Sequence, residues 1–72
     1  MNFTAEQVKN RQSISIGDTV TVSENKSFKL IGSTVTVELD GSSTVFLNLE
    51  WFVDDKTGVD TINSSQLNNW LK

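Results

Sequence analysis

The spacing of apolar residues changes twice along this chain. In "NFTAEQVKNR" the apolar positions Phe3, Ala5 and Val8 form only a thin stripe, and Thr4 is followed three residues later by Gln7. That pair fits a capping box, in which each side chain satisfies a free backbone N–H of the other. A short helical segment is predicted over about residues 4–11, too small to stand alone and suited to docking on a sheet. From residue 13 the period becomes that of a strand. "SISIGDTVTVS" alternates Ile14, Ile16, Val20 and Val22 with polar residues, and Gly17-Asp18 reads as a bend or tight turn, so two short strands or one bent strand are expected.

The middle of the chain repeats the alternation. "ENKS" at 24–27 is a polar turn, Phe28 and Leu30 share a face, and Gly32-Ser33 is expected to break the strand. In "TVTVEL" (34–39), Val35, Val37 and Leu39 are expected to point inward, and Asp40-Gly41 is a strong hairpin signal because glycine takes a positive φ without steric cost. The return strand, 44–53, has Val45, Leu47, Leu49, Trp51 and Val53 as its inward set. Phe46, Asn48, Glu50 and Phe52 then lie on the opposite face. A strand apolar on both sides near its ends is expected to bend strongly, as in small barrels, or to be covered on its second face.

"DDKTGV" (54–59) follows, and a hairpin loop of about four residues is expected there, with Gly58 left-handed and Asp54 or Asp55 bonding backbone N–H groups. The stretch is not a calcium loop. Counted from Asp54, glycine falls at the fifth position instead of the sixth, the third is Lys56, and no glutamate closes the loop. In the tail, Asn63, Ser64 and Ser65 are good N-cap residues, and Leu67, Trp70 and Leu71 have helical spacing. A helical turn over about 64–71 is expected, with Trp70 either a lid on the core or an exposed anchor for a partner.

Composition narrows the chemistry. Seventy-two residues make a single domain, 1–72, near the size at which one core supplies only about 3–5 kcal/mol. Cysteine and histidine are both absent, which removes disulfides, thiolate sites and the commonest ligand of zinc and copper. No cofactor or metal site is expected, and no catalytic group stands out. The chain has no signal-peptide pattern and no run of the roughly 20 apolar residues that span a bilayer, so a cytoplasmic protein without membrane contact is the expectation.

Net charge is −3 and uneven. Residues 1–36 carry Lys9, Arg11, Lys26 and Lys29 against Glu6, Asp18 and Glu24. Residues 37–72 carry Lys56 and Lys72 against Glu38, Asp40, Glu50, Asp54, Asp55 and Asp60. The halves are therefore +1 and −4 (4 less 3, 2 less 6), which favours a basic partner for the second half and argues against generic phosphate-backbone binding.

The order of elements resembles the SH3-like small barrels, including KOW and Tudor-type modules. The resemblance rests on "GDTVTV" (17–22) as an opening strand, "LEWFVDDKTGVDTI" (49–62) as a tryptophan-bearing strand with its hairpin, and "SSQL" (64–67) as the closing turn, and spans roughly residues 14–67. It implies a mainly β fold, either a small barrel or a twisted antiparallel meander of about five strands over residues 13–62, with a helix or helical turn at each end. The chain departs from the binding modules of that family: it is acidic where KOW modules are basic, and it lacks the tyrosines of methyl-reading cages and proline-peptide grooves. In style it is similar to accessory proteins of bacteriophages and mobile elements.

The function expected is a small non-catalytic protein-binding or regulatory module. Its partner is another protein or a second copy, and the candidate residues are Phe46, Glu50, Phe52, Asp54, Asp55 and Trp70. The alternatives are nucleic-acid association through Lys9, Arg11, Lys26 and Lys29, and acidic mimicry of nucleic acid toward a basic protein.

Overall fold

The computed structural model describes residues 1–11 and 13–72. Its elements in chain order are β1 (Asn2–Thr4), α1 (Ala5–Arg11), β2 (Thr19–Ser23), β3 (Lys26–Val37), β4 (Ser43–Val53), β5 (Lys56–Asn63) and α2 (Leu67–Trp70). The protein is mainly β. Among the described residues five strands form one sheet in the order β1-β2-β3-β4-β5, antiparallel except for the parallel pair β1 and β2. No pairing among the described residues joins β1 to β5, so the sheet is open and has two edges where a closed barrel was one expectation. No helix among the described residues is long and apolar enough to cross a membrane.

Local chemistry sets the ends of α1. The Gln7 N–H donates to Thr4 Oγ1 at 3.2 Å and the Thr4 N–H donates to Gln7 Oε1 at 2.9 Å, which is the reciprocal capping box the sequence predicts. Ala5 and Val8 are the buried side of the helix. The tail uses a related device: the Gln66 N–H donates to Asn63 Oδ1 at 2.9 Å and the Asn63 N–H to Gln66 Oε1 at 3.0 Å, fixing the turn that launches α2. Leu71 then drops into the core with Leu67 and Trp70 half-buried beside it.

The core lies on one face of the sheet. Val20, Phe28, Leu30, Leu49 and Ile62 from the strands meet Ala5, Val8 and Leu71 from the helical segments, with Phe3, Ile14, Leu47 and Trp51 packed around them. Register accounts for this set, because Phe28 pairs with Val20 and Trp51, Leu30 with Leu49, and Leu47 with Ile62. Among the described residues Asp18 is the one buried charged residue, and its Oδ2 accepts the Ser15 N–H at 3.0 Å.

Three expectations change. Residues 13–16 form no strand; the alternation of Ile14 and Ile16 belongs to a connection in which Ile14 touches the core and Ile16 is exposed. Gly32-Ser33 does not break β3, which passes through a register shift between Leu30 and Gly32 and continues to Val37. A β-bulge absorbs one residue and bends the strand without ending it. Finally, Val35, Val37 and Val45 share the face of Leu47 and Leu49 but are not inside: they are 58%, 72% and 44% exposed, and Leu39 at the tip is fully exposed. Beyond the bulge β2 no longer pairs with β3, and past Thr34 and Phe46, where the pairing of β5 with β4 ends, β3 and β4 form a two-stranded ribbon.

Candidate interaction surfaces

The acidic stretch after β4 is a two-residue turn. Asp54 and Asp55 both have positive φ, 50° and 66°, as a type I′ hairpin requires, and β5 begins at Lys56. Two residues in the left-handed region match the twist of the flanking strands, and aspartate tolerates that conformation better than most side chains. The loop is thus shorter than expected, and Gly58 lies inside β5 opposite Trp51 without a positive φ. Its role is close approach: a Cβ at Gly58 would overlap Trp51 Cζ2 and stand 2.6 Å from Cε2. The indole covers the glycine of the edge strand. The Asp54 N–H donates to the Asn25 carbonyl at 3.0 Å, tying this turn to the β2–β3 turn beside it.

Phe52, Asp54 and Asp55 come together at this end. With Glu24, Lys26 and Lys56 they border a shallow cleft of about 260 Å³, in which Phe52 is 37% exposed. Val59 lies diagonally across from Phe52 on the same face, since Glu50 pairs with Val59 and Phe52 with Thr57. Glu50, half-buried, lies between Lys29 and Val59 in the register. Phe46 is on this face too, but six residues along β4 place it about 20 Å from Phe52, so the two phenylalanines do not make one patch. The terminal helices cover the other face, and none of Phe46, Glu50 or Phe52 belongs to the packed core.

Trp70 serves the core. Its ring meets Phe28 edge-on at 5.8 Å and 65°, and the Lys26 ammonium lies 5.3 Å from its centroid. The half-buried ring also borders a second open cleft of about 470 Å³ with Trp51, Val53, Asp54, Lys56 and Asp60. Asp54 is common to both clefts and stands between the two faces. Sequence reasoning gave a hairpin after Val53 and a helical turn carrying Trp70, but made the hairpin loop too long and missed Trp51, Val53 and Asp60 as neighbours; a two-residue turn, once assumed, puts Trp51 opposite Gly58 and Leu49 opposite Asp60 by counting.

The basic residues are divided. Lys9 and Arg11 are on α1, with the Arg11 guanidinium 4.4 Å from the Phe3 ring centroid, and Lys26 lies against Trp70. Lys29 is exposed on the uncovered face of the sheet, opposite Glu50. Among the carboxylates, Asp40 is held below the usual range because Ser42 donates to it from both its hydroxyl, at 2.6 Å, and its backbone N–H, at 2.9 Å. Asp60 accepts the Thr61 N–H at 3.0 Å. No group of three or more acidic, histidine or cysteine side chains among the described residues is arranged to hold a metal ion. Compared with known proteins, the chain matches no family model, no curated protein and no solved structure.

Proposed function

We propose that this chain is a small non-catalytic protein-binding module whose docking end is the Asp54-Asp55 turn with Phe52. The observation that carries the reading is the exposed Phe52 ring set beside two aspartates in a backbone turn of fixed geometry. An apolar anchor ringed by charge is the usual make-up of a small interface, with the ring supplying buried area and the carboxylates orientation. The −4 charge of the second half favours a basic surface on the partner and speeds encounter at low salt. A binding role is favoured over a catalytic one because Asp18, Asp40 and Asp60 are engaged with nearby backbone N–H groups in their own loops and strand, and the clefts are shallow and open. The SH3-like kinship is part of the proposal on strand order alone, a meander from β2 to β5 followed by a helical turn.

The test is retention of proteins from a lysate on immobilised wild-type protein, on Phe52→Ser, and on Asp54→Asn with Asp55→Asn, each variant checked for unchanged far-ultraviolet circular dichroism. Proteins held by the wild type, released by rising salt and lost from both variants support the reading. An identical set on all three surfaces overturns it. Acidic mimicry of nucleic acid uses the same carboxylates without the ring, and predicts that the double asparagine variant loses its partner while Phe52→Ser keeps it.

A further inference from the structure

The ribbon formed by β3 and β4 beyond the bulge is exposed where its sequence reads as core. A compact protein of 8.0 kDa exposes about 4,450 Å² and has a radius of gyration of about 11 Å. This one exposes 4989 Å² and has a radius of gyration of 12.9 Å. The excess is about 540 Å² per chain. An excess of this kind marks an elongated shape, to which the uncovered ribbon contributes.

The outer edge of the ribbon is also unguarded. Residues 31–37, Ile-Gly-Ser-Thr-Val-Thr-Val, contain no charge and no proline, the usual devices that keep a strand edge from pairing with another chain. The edge strand β5, by contrast, carries Lys56 and Asp60. The absence of charge at 31–37 argues against a highly charged occupant, and the alternation of Thr34, Val35, Thr36 and Val37 is complementary to itself. The Glu38 N–H donates to the Ser42 carbonyl at 2.8 Å, so Glu38 turns its backbone toward β4. Alternation along an antiparallel strand then turns the backbone groups of Ser33, Val35 and Val37 outward, free to pair.

We infer that this edge binds a second copy of the chain, β3 to β3, about a two-fold axis at Thr36. Two constraints limit the register, and the longest overlap that they allow decides it. All the valines must fall on one face, which allows only pairings whose residue numbers sum to an even value, since a one-residue slip sends every side chain to the other face. Gly17 and Asp18 block the sheet beyond Ile31, because the Gly17 N–H donates to the Leu30 carbonyl at 2.8 Å and the Leu30 N–H to the Asp18 carbonyl at 3.1 Å. A register centred on Val35 drives the partner's Asp40-Gly41 turn into that obstacle. One centred on Thr36 clears it, pairs Val35 with the partner's Val37, and gathers Val35, Val37 and Val45 of both copies on the face that carries the core. Thr36 then meets its symmetry mate in a non-hydrogen-bonded pair, the closer of the two antiparallel spacings. The ribbon lies at the end of β4 opposite Phe52, so this inference stands apart from the docking end proposed above.

The chain lacks cysteine, which makes cross-linking clean. The experiment combines light scattering after size exclusion, over a wide concentration range, with air oxidation of the single-cysteine variants T36C and T61C, the second on the opposite edge strand. The expected results are a concentration-dependent wild-type dimer of twice 8.0 kDa, a disulfide-linked dimer from T36C but not T61C, and a strict monomer from Val35→Lys with unchanged circular dichroism. Val35 is already 58% exposed, so this lysine does not threaten the fold. A wild type that stays monomeric at every concentration, a Val35→Lys variant that still dimerises, or cross-linking through T61C instead of T36C would each overturn the inference, while leaving the Phe52 retention test unaffected.

Discussion

β3 and β4 are paired from Lys26 and Val53 at one end to Val37 and Ser43 at the other, yet the two ends of this hairpin have opposite fates. At the base, Phe28, Leu30 and Leu49 are between 0% and 3% exposed. On the same face of the ribbon, Val35, Val37 and Val45 are between 44% and 72% exposed. Both ends alternate apolar with polar residues, both use β-branched or bulky side chains, and both are regularly hydrogen-bonded. They differ in what lies over them: α1, α2 and the flanking strands cover the base, and nothing described covers the ribbon. Alternation therefore specifies a face, whereas burial needs a second element on that face.

The largest test of this contrast uses one substitution at both ends. Leu49→Ala removes a wholly buried side chain and is expected to cost about 3–5 kcal/mol. Because a core this small supplies little more than that, the variant should be largely unfolded at room temperature by circular dichroism. Leu39→Ala, at the exposed tip, should stay within about 0.5 kcal/mol of wild type in urea melts. Equal losses would mean that the ribbon tip is packed as the base is.

Glycine gives the next test. Gly58→Ala pushes a methyl group into the rigid Trp51 ring and should cost about 1–3 kcal/mol with a shift in tryptophan fluorescence. At the start of the ribbon, Gly32→Ala meets only Asn48 Nδ2, at 3.4 Å, and should leave fluorescence unchanged. The two hairpin turns differ in the same way. Asp55 already has a φ of 66°, so Asp55→Gly relieves strain and should raise stability, by up to about 1 kcal/mol, whereas Gly41→Ala, at a φ of 91°, should lower it by a similar amount. Thermal melts of the pair decide the matter by the sign of the change.

The smallest effect is acidification. The Asp40 carboxyl is held below its ordinary value by its bonds from Ser42, so its contribution is fully present above the unfolded-state pKa and is lost as pH falls through the folded-state value. Amide protection factors, taken relative to the intrinsic exchange rate at each pH, should fall at Gly41 and Ser42 on acidification before they fall at Leu49; a simultaneous fall would mean that the ribbon tip and base open as one unit.

Parts of the candidate site could be read without coordinates. Asp54, Asp55 and Phe52 are close in sequence, so any hairpin brings them together, and Trp70 follows from helical spacing with Leu67 and Leu71. The proximity of Lys26 to Trp70, and the distance between Phe46 and Phe52, were not legible in the same way. The first joins residues 44 positions apart, and the second depends on strand length, where alternation reports only which face a residue takes.

What the sequence determined is local and periodic: the capping box of Thr4 and Gln7, the alternation of β2 to β5, the two faces of β4, the turn at Asp40-Gly41 and a hairpin after Val53. These rest on interactions within a few residues, so the residue types alone suffice. The tertiary structure decided the rest: that the sheet stays open, that β3 runs through its glycine by a bulge, and that both helical segments share one face and stop short of the ribbon. Each is a choice among long-range contacts that share the same local pattern, and only the packing of the whole chain distinguishes them.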